Sequence, residues 1–217
     1  MSTTGILHDT EQLIRERLAG DSSGHDWWHI DRVRRNALRI AREERADLFV
    51  VELAALLHDV ADWKFHGGDD TVGPRVAREW LLQNDVPTPT VELVCEIIAS
   101  LSFKGAGVPT EMRTLEGKCV QDGDRLDAIG AIGIARAFAF GGHFGRAIHD
   151  PDAPPQEHQS FAEYKSKNGP TINHFYEKLL LLRDRMQTST GRRLADQRHQ
   201  YMQQYLEQFF REWNAQL

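Results

Sequence analysis

Apolar positions along this chain recur at helical spacing in nearly every periodic segment. In residues 27–45, for example, Ile30, Val33, Ala37 and Ile40 fall on one stripe of a helix. The same spacing predicts further helices over residues 10–19, 48–60, 75–84, 89–101, 122–141, 171–187 and 191–216. Alternating patterns typical of strands are almost absent. The sequence therefore predicts an all-α fold with about seven or eight helices.

Two of the segments stand out. Residues 62–74, DWKFHGGDDTVGP, hold three glycines and a proline and predict a loop after the helix over 48–60. Residues 122–141 are apolar on nearly every side, which predicts the central, buried helix of the fold. That helix would begin with DGDRLDA, so three carboxylates enter the core together.

Composition and charge argue against several classes of protein. The 217 residues carry a net charge of −6 with mixed signs, which argues against binding of a nucleic-acid polymer. The two cysteines have no CxxC spacing, and the start of the chain is charged and amphipathic rather than a signal peptide. The longest apolar run, AIGAIGIARAFAFGG, contains Arg136 and is shorter than the ~20 residues of a membrane helix. We expect a cytoplasmic protein with no membrane partner.

Four polar residues fall where the pattern predicts a core. The apolar run VVELAALL ends in His58 and Asp59, and His29 and Asp124 share faces with core positions of their own helices. Each has an ordinary interpretation: a hydrogen-bonded histidine, a solvated helix end, or, for Asp124, a favourable place near a helix N-terminus. Together they form a set of two nitrogen and two oxygen donors, which suits Mn, Co, Ni or Fe(II) better than Zn.

The order and surroundings of these four residues, in HIDRV, ALLHDVAD and DGDRLDAIG, resemble the HD-domain superfamily of metal-dependent phosphohydrolases. The resemblance implies one divalent metal ion per chain (Mn, Co, Ni, Fe or Mg), held by His29, His58, Asp59 and Asp124. The wider string is similar to a small single-domain bacterial branch, some members of which hydrolyse nucleoside triphosphates. Where the family often has alanine, this chain has Gly123, which we expect to loosen the start of the helix slightly.

The helix pattern and the resemblance together predict a domain organisation. Residues 1–217 form a single HD-type domain, with the HD core over about 22–145, a lid-like loop over 142–170 and C-terminal helices over 171–217. A homodimer through the last helices is one expectation, and packing within the chain is the alternative. The candidate dimer residues are Phe175, Leu179 and Leu182, or Tyr201, Tyr205 and Phe209.

The function implied is hydrolysis of small phosphorylated substrates. Nucleotides are favoured, with a (deoxy)nucleoside triphosphate cleaved to a monophosphate and pyrophosphate. Two catalytic candidates follow the metal ligands: Asp62, to orient or deprotonate the attacking water, and Lys64, to neutralise phosphate oxygens. The predicted substrate-binding residues are Arg32, His66, Lys104 and Arg125.

Several further cations support a triphosphate substrate, because the predicted lid carries groups suited to a polyphosphate tail. They are His143, Arg146, His149, Lys165 and Lys167. Two other functions stay open. One is a phosphomonoesterase acting on nucleoside monophosphates or sugar phosphates, and the other is a non-catalytic, nucleotide-binding regulatory module.

Overall fold

The computed structural model describes residues 2–20, 26–61, 69, 71–101, 112–156 and 169–216. These residues form nine α-helices and one 3₁₀ helix, and no strand occurs among them. The α-helices are α1 (Thr3–Arg17), α2 (Trp27–Glu44), α3 (Leu48–Leu57), α4 (Val72–Gln83), α5 (Thr88–Ser100), α6 (Leu115–Asp127), α7 (Gly130–His143), α8 (Thr171–Glu177) and α9 (Ser189–Trp213). The 3₁₀ helix covers Leu179–Arg185. The all-α prediction is confirmed.

Helix α2 lies at the centre of the fold and packs against both α3 and α6. Its predicted apolar stripe is fully buried, and the Asp26 side chain caps its first turn by accepting a hydrogen bond from the His29 amide. The residue that caps its C-terminus, Arg45, takes the left-handed conformation with φ 64°. The Asp26 cap matters for function because it fixes the turn that carries His29.

Helix α6 approaches α2 closely at Gly123. A Cβ atom added to this glycine would lie 2.9 Å from the backbone nitrogen of Ala37 and 3.0 Å from its Cβ. Because Gly123 lies inside α6, it does not loosen a helix start as expected. It permits the close crossing of two helices that carry predicted metal ligands.

The prediction of one continuous helix over residues 122–141 is wrong. Helix α6 ends at Asp127, and α7 begins at Gly130, whose φ of 76° is left-handed. The second part of the predicted helix is α7. It is only partly buried, with Ile132 43% exposed, so it is not the central helix of the fold. The carboxylates of DGDRLD therefore lie near the C-terminus of a helix, so the favourable interaction with a helix N-terminus does not account for them.

The C-terminal helix α9 is attached to the centre of the fold by buried polar contacts. Asp122 is fully buried, and its carboxylate accepts hydrogen bonds from the amides of Gln187 and Thr188 and from the Thr188 hydroxyl. Glu44, the last residue of α2, accepts from the Ser189 hydroxyl and the Thr190 amide. Residues of α2 and α6 thus supply acceptors to the N-terminal turn of α9.

The two candidate dimer faces differ in exposure. Phe175, Leu179 and Leu182 are buried within the chain, so packing inside the protomer accounts for them. On α9, Tyr201 is exposed, whereas Tyr205 stacks on Phe175 with the ring centroids 6.0 Å apart.

No helix of the described part of the chain is long and apolar enough to cross a membrane.

Candidate metal centre

His29 and His58 meet where the first turn of α2 faces the end of α3. Their Nε2 atoms lie 3.3 Å apart, with the two rings nearly edge to face. His29 is 1% exposed, and the His58 side chain is buried to a similar degree. The apolar run before His58 explains its place. Because the last turn of α3 packs against α2, the imidazole that follows this turn is buried as well.

Each ring directs its other nitrogen to an acceptor. His58 Nδ1 lies 2.8 Å from the Ala55 carbonyl oxygen, and His29 Nδ1 lies 2.8 Å from Asp127 Oδ2. Because a carbonyl and a carboxylate only accept, both Nδ1 atoms carry the proton. Two neutral imidazoles would then direct two Nε2 lone pairs at each other, an arrangement that needs a cation between them.

Two carboxylates complete the cluster. Asp59 Oδ2 lies 3.4 Å from the Nε2 atoms of both His29 and His58. Asp124 Oδ1 approaches from α6, 3.7 Å from His29 Nε2. The ligand atoms of His29, His58 and Asp59 all lie within 4.8 Å of one another. The structure thus brings the four predicted ligands together from three parts of the chain.

The protonation of His29 reflects the same arrangement. Burial and the charge of Arg136 act to lower the pKa of His29, but hydrogen bonds to Asp127 and Asp59 outweigh them and raise it. The acceptors around His29 therefore favour positive charge between the imidazoles and the carboxylates.

The residues present fit a divalent metal ion. Two imidazole nitrogens and two carboxylate oxygens converge, and each imidazole has its outward nitrogen already bonded, as metal-ligating histidines almost always do. The donor set suits Mn, Fe(II), Co or Ni. We therefore assign His29, His58, Asp59 and Asp124 as the candidate ligands.

Comparison with known proteins agrees with this geometry. A family model for the HD domain matches residues 27–129. The uncharacterized protein YpgQ of Bacillus subtilis (strain 168) is 41% identical over 208 residues, covering 93% of this chain and 92% of YpgQ. The chain belongs to the HD-domain superfamily. It therefore has the fold of the HD-superfamily hydrolases, and the four candidate ligands lie within the matched region.

Solved structures of similar proteins align along nearly the whole chain. A Lactobacillus plantarum protein aligns with a TM-score of 0.88 and 39% identity, covering 99% of this chain and 100% of that one. An HD-superfamily hydrolase from Bacillus thuringiensis gives a TM-score of 0.75 and 41% identity, with the same coverage. YpgQ in complex with ADP gives 0.72 and 37% identity, covering 97% of each chain. The likeness thus extends beyond the HD match into α8 and α9.

Two predicted substrate-binding arginines make contacts within the protein. Arg32 donates from Nε to Asp127 Oδ1 at 2.6 Å and from Nη2 to Oδ2 at 3.1 Å. Arg125 is 6% exposed and donates to the Arg185 carbonyl oxygen, and burial lowers its pKa to about 10. Both arginines therefore have partners within the protein, and their contact with substrate stays a prediction. Asp62, Lys64, His66 and Lys104 lie outside the described residues.

The predicted lid is described only in part, over residues 142–156 and 169–170. Here the Ala147 carbonyl accepts from the Thr171 amide, and the ring of His149 lies against Phe210 and Trp213 of α9. His149 thus packs beside the C-terminal helix. Lys165 and Lys167 lie outside the described residues.

Sequence reasoning missed Asp127 and Arg136 as parts of the centre. Asp127 was noticed only as one of three acidic residues, and Arg136 only as a charge that interrupts an apolar run. The available signal was spacing, since Asp127 lies three residues after Asp124 and so shares a side of α6 with it. The contact with Arg136 depends on the break after α6, which the apolar pattern does not reveal.

Proposed function

We propose that this protein is a metal-dependent phosphohydrolase of nucleotides, and that it cleaves a (deoxy)nucleoside triphosphate to a monophosphate and pyrophosphate. The observation that carries the proposal is the meeting of the His29 and His58 Nε2 atoms with Asp59. Two buried imidazoles and a carboxylate that meet in this way are costly without a cation between them.

In this proposal His29, His58, Asp59 and Asp124 hold one divalent metal ion per chain. Such an ion polarises a phosphoryl oxygen and lowers the pKa of a bound water. Asp62 accepts the proton of the attacking water, and the role follows from its place three residues after Asp59. Lys64 neutralises phosphate oxygens, with His66 and Lys104 as further predicted contacts to substrate.

The nucleotide part of the proposal draws support from a relative. The YpgQ crystal structure in complex with ADP aligns over 97% of this chain at 37% identity. A nucleoside diphosphate offers the base, sugar and phosphoanhydride of the proposed substrate. Cleavage between the α and β phosphates follows from the resemblance to the triphosphate-hydrolysing branch.

The test is a panel of nucleoside mono-, di- and triphosphates incubated with the protein and Mn, Co, Ni or Mg. Products are resolved by chromatography, with orthophosphate and pyrophosphate measured separately. We expect a nucleoside monophosphate and pyrophosphate in equal amounts from at least one triphosphate. The Asp59→Asn variant, purified in parallel, should show only background turnover, which controls for contaminating phosphatases.

Each other outcome selects a different function. Orthophosphate released only from monophosphates would identify a phosphomonoesterase. Nucleoside with tripolyphosphate would place the cleaved bond at the sugar. Nucleotide binding by calorimetry without turnover under any metal would favour the non-catalytic regulatory module.

A further inference from the structure

Asp127 is a buried carboxylate outside the candidate ligand set. Its side chain is 1% exposed, and its partners come from two other helices. Oδ1 accepts from Arg32 Nε at 2.6 Å, and Oδ2 accepts from His29 Nδ1 at 2.8 Å, Arg136 Nη1 at 2.9 Å and Arg32 Nη2 at 3.1 Å. A buried carboxylate is tolerated only with good partners, and here both oxygens are engaged.

The two arginines define what Asp127 does. Their guanidinium groups supply positive charge and three of the four hydrogen bonds, so the carboxylate stays ionised and fixed in direction. Its oxygens face donors and the outward nitrogen of His29, whereas the Nε2 side of that ring faces Asp59 and Asp124. Asp127 thus acts on a candidate ligand without joining the ligand cluster.

The break after α6 makes this arrangement possible. Asp127 and Arg136 are nine residues apart, which would separate them by roughly 13 Å along a continuous helix. The left-handed Gly130 interrupts the helix between α6 and α7, and Arg136 of α7 contacts Asp127 at 2.9 Å. Three helices, α2, α6 and α7, therefore meet at one carboxylate.

We propose that Asp127, held by Arg32 and Arg136, is the positioning residue of the metal centre. By accepting the Nδ1 proton of His29, it keeps the Nε2 lone pair directed at Asp59 and Asp124. The proposal rests on the proposed function only in taking His29 as a metal ligand. It also gives Arg32 a place in the site other than contact with substrate.

A purely structural role would have a different signature. A carboxylate that only joined three helices would lower stability when removed and leave the metal affinity of the folded protein unchanged. A positioning residue changes that affinity, because a neutral amide cannot accept from all four donors. Removing such an outer partner of a ligating histidine typically weakens metal binding about 10- to 100-fold.

The first experiment compares Asp127→Asn with a matched control, Asp31→Asn. Asp31 lies on α2 two residues after His29, is also buried, and pairs with Arg35 one turn away rather than with an imidazole. Mn²⁺ is titrated into each metal-free protein, with the free ion followed by its electron paramagnetic resonance signal. We expect about 10- to 100-fold weaker binding for Asp127→Asn and wild-type affinity for Asp31→Asn.

The second experiment needs only the wild-type protein and so holds even if the variant fails to fold. Protein labelled with ¹⁵N-histidine is studied metal-free, at a pH above the titration of the imidazoles, with His29 assigned from the spectrum of His29→Gln. The proposal expects the proton of His29 on Nδ1. A proton on Nε2 overturns it.

The outcomes separate this inference from the proposed function. A folded Asp127→Asn protein that binds Mn²⁺ as the wild type does overturns the inference alone. Normal Mn²⁺ binding with no nucleotide turnover removes the proposed function and leaves the inference standing. Wild-type protein that binds none of Mn²⁺, Co²⁺, Ni²⁺, Fe²⁺ and Mg²⁺ overturns both.

Discussion

At the scale of single residues, His29 and His58 differ in how their orientation is fixed. His58 bonds to the Ala55 carbonyl three residues earlier in the chain, so its own helix orients it. His29 depends on Asp127, which is 98 residues away in sequence. One ligand is therefore built locally, and the other requires the assembled fold.

The metal content of His58→Ala tests the ligand set directly. Removing this imidazole takes away one ligand and leaves the His29–Asp127 hydrogen bond intact. We expect about one transition-metal ion per wild-type chain after Mn or Ni loading and desalting, and little in the variant. Elemental analysis provides the measurement, with His8→Ala, an exposed histidine of α1, as the control. Equal metal in all three proteins would remove His58 from the ligand set.

Asp62 is predicted to act on the attacking water rather than on the metal. Asp62→Asn keeps the size of the side chain and removes the base, so kcat should fall by about 10²- to 10⁴-fold while metal content stays near wild type. Asp59→Asn is the comparison, since it should lose both metal and turnover. Undiminished kcat in Asp62→Asn would assign this residue a structural role.

At the scale of helices, the crossing of α2 and α6 sets the geometry of the centre. Gly123→Ala would place a Cβ 2.9 Å from the Ala37 backbone, and backbone atoms cannot yield without moving a helix. We expect a loss of about 1–3 kcal/mol in the free energy of unfolding, despite the better helix propensity of alanine. Urea unfolding measures it.

Gly142→Ala is the matched control for this substitution. Gly142 lies in α7, and an added Cβ there would meet no atom within 4 Å. Helix propensity should then act alone and stabilise the protein by up to about 1 kcal/mol. If both variants shifted stability in the same direction, the close crossing would not be the cause.

Glu44 joins the end of α2 to the start of α9 and gives the fold a pH dependence. Hydrogen bonds from the Thr190 amide and the Ser189 hydroxyl lower the pKa of Glu44 below its ordinary value of 4.5. Its contribution to stability is therefore complete above the unfolded-state pKa and is lost as the pH falls through the lower, folded-state pKa.

Glu44→Gln should reveal that dependence. We expect about 1 kcal/mol less stability than the wild type at neutral pH, with the difference shrinking below about pH 4.5. Glu43→Gln is the control, because this neighbouring carboxylate forms an exposed pair with Arg193, worth about 0.5 kcal/mol or less. Urea unfolding at several pH values checks both. A difference for Glu44→Gln that is constant with pH would contradict the role of its charge.

The helices were largely predictable because burial of one face imposes the 3.6-residue period. The stripe of α2 and its Asp26 cap show this directly. The end of α6 was not predictable in the same way, since Ala128 and Ile129 continue the apolar pattern across the break. The conformation of Gly130 decides the end of that helix, and a glycine in a run of small residues indicates close packing equally well.

At the scale of the whole molecule, the candidate ligands come from α2, from the residues that follow α3 and from α6, and only the folded chain brings them together. A bound metal should therefore raise the melting temperature, because it binds the folded chain and not the unfolded one. At a concentration 100 times Kd the stabilisation is about 2.7 kcal/mol. Thermal unfolding with and without Mn²⁺ measures it, and Asp59→Ala should show little change on adding metal.

The site could be predicted from sequence as a set of residue types but not as an arrangement. Polar residues next to apolar helical runs marked His58, Asp59 and Asp124, because the apolar pattern predicts a core at those positions. Asp127 and Arg136 act through contacts between helices, and such contacts depend on the direction of each helix. Arg32 shows the same limit: its charge predicts a contact with phosphate, and the sequence does not reveal that the fold also gives it a carboxylate partner, Asp127.

Asp122 bears on how much of the chain must be synthesised before this protein can fold. The HD match ends at residue 129, but the carboxylate oxygens of Asp122 accept hydrogen bonds from residues 187 and 188. A chain truncated before them would leave this carboxylate unpaired two residues from Asp124, in the helix that carries a candidate ligand. We therefore expect the C-terminal segment and the HD region to unfold together, and we expect a nascent chain still lacking α9 to leave Asp122 without these donors.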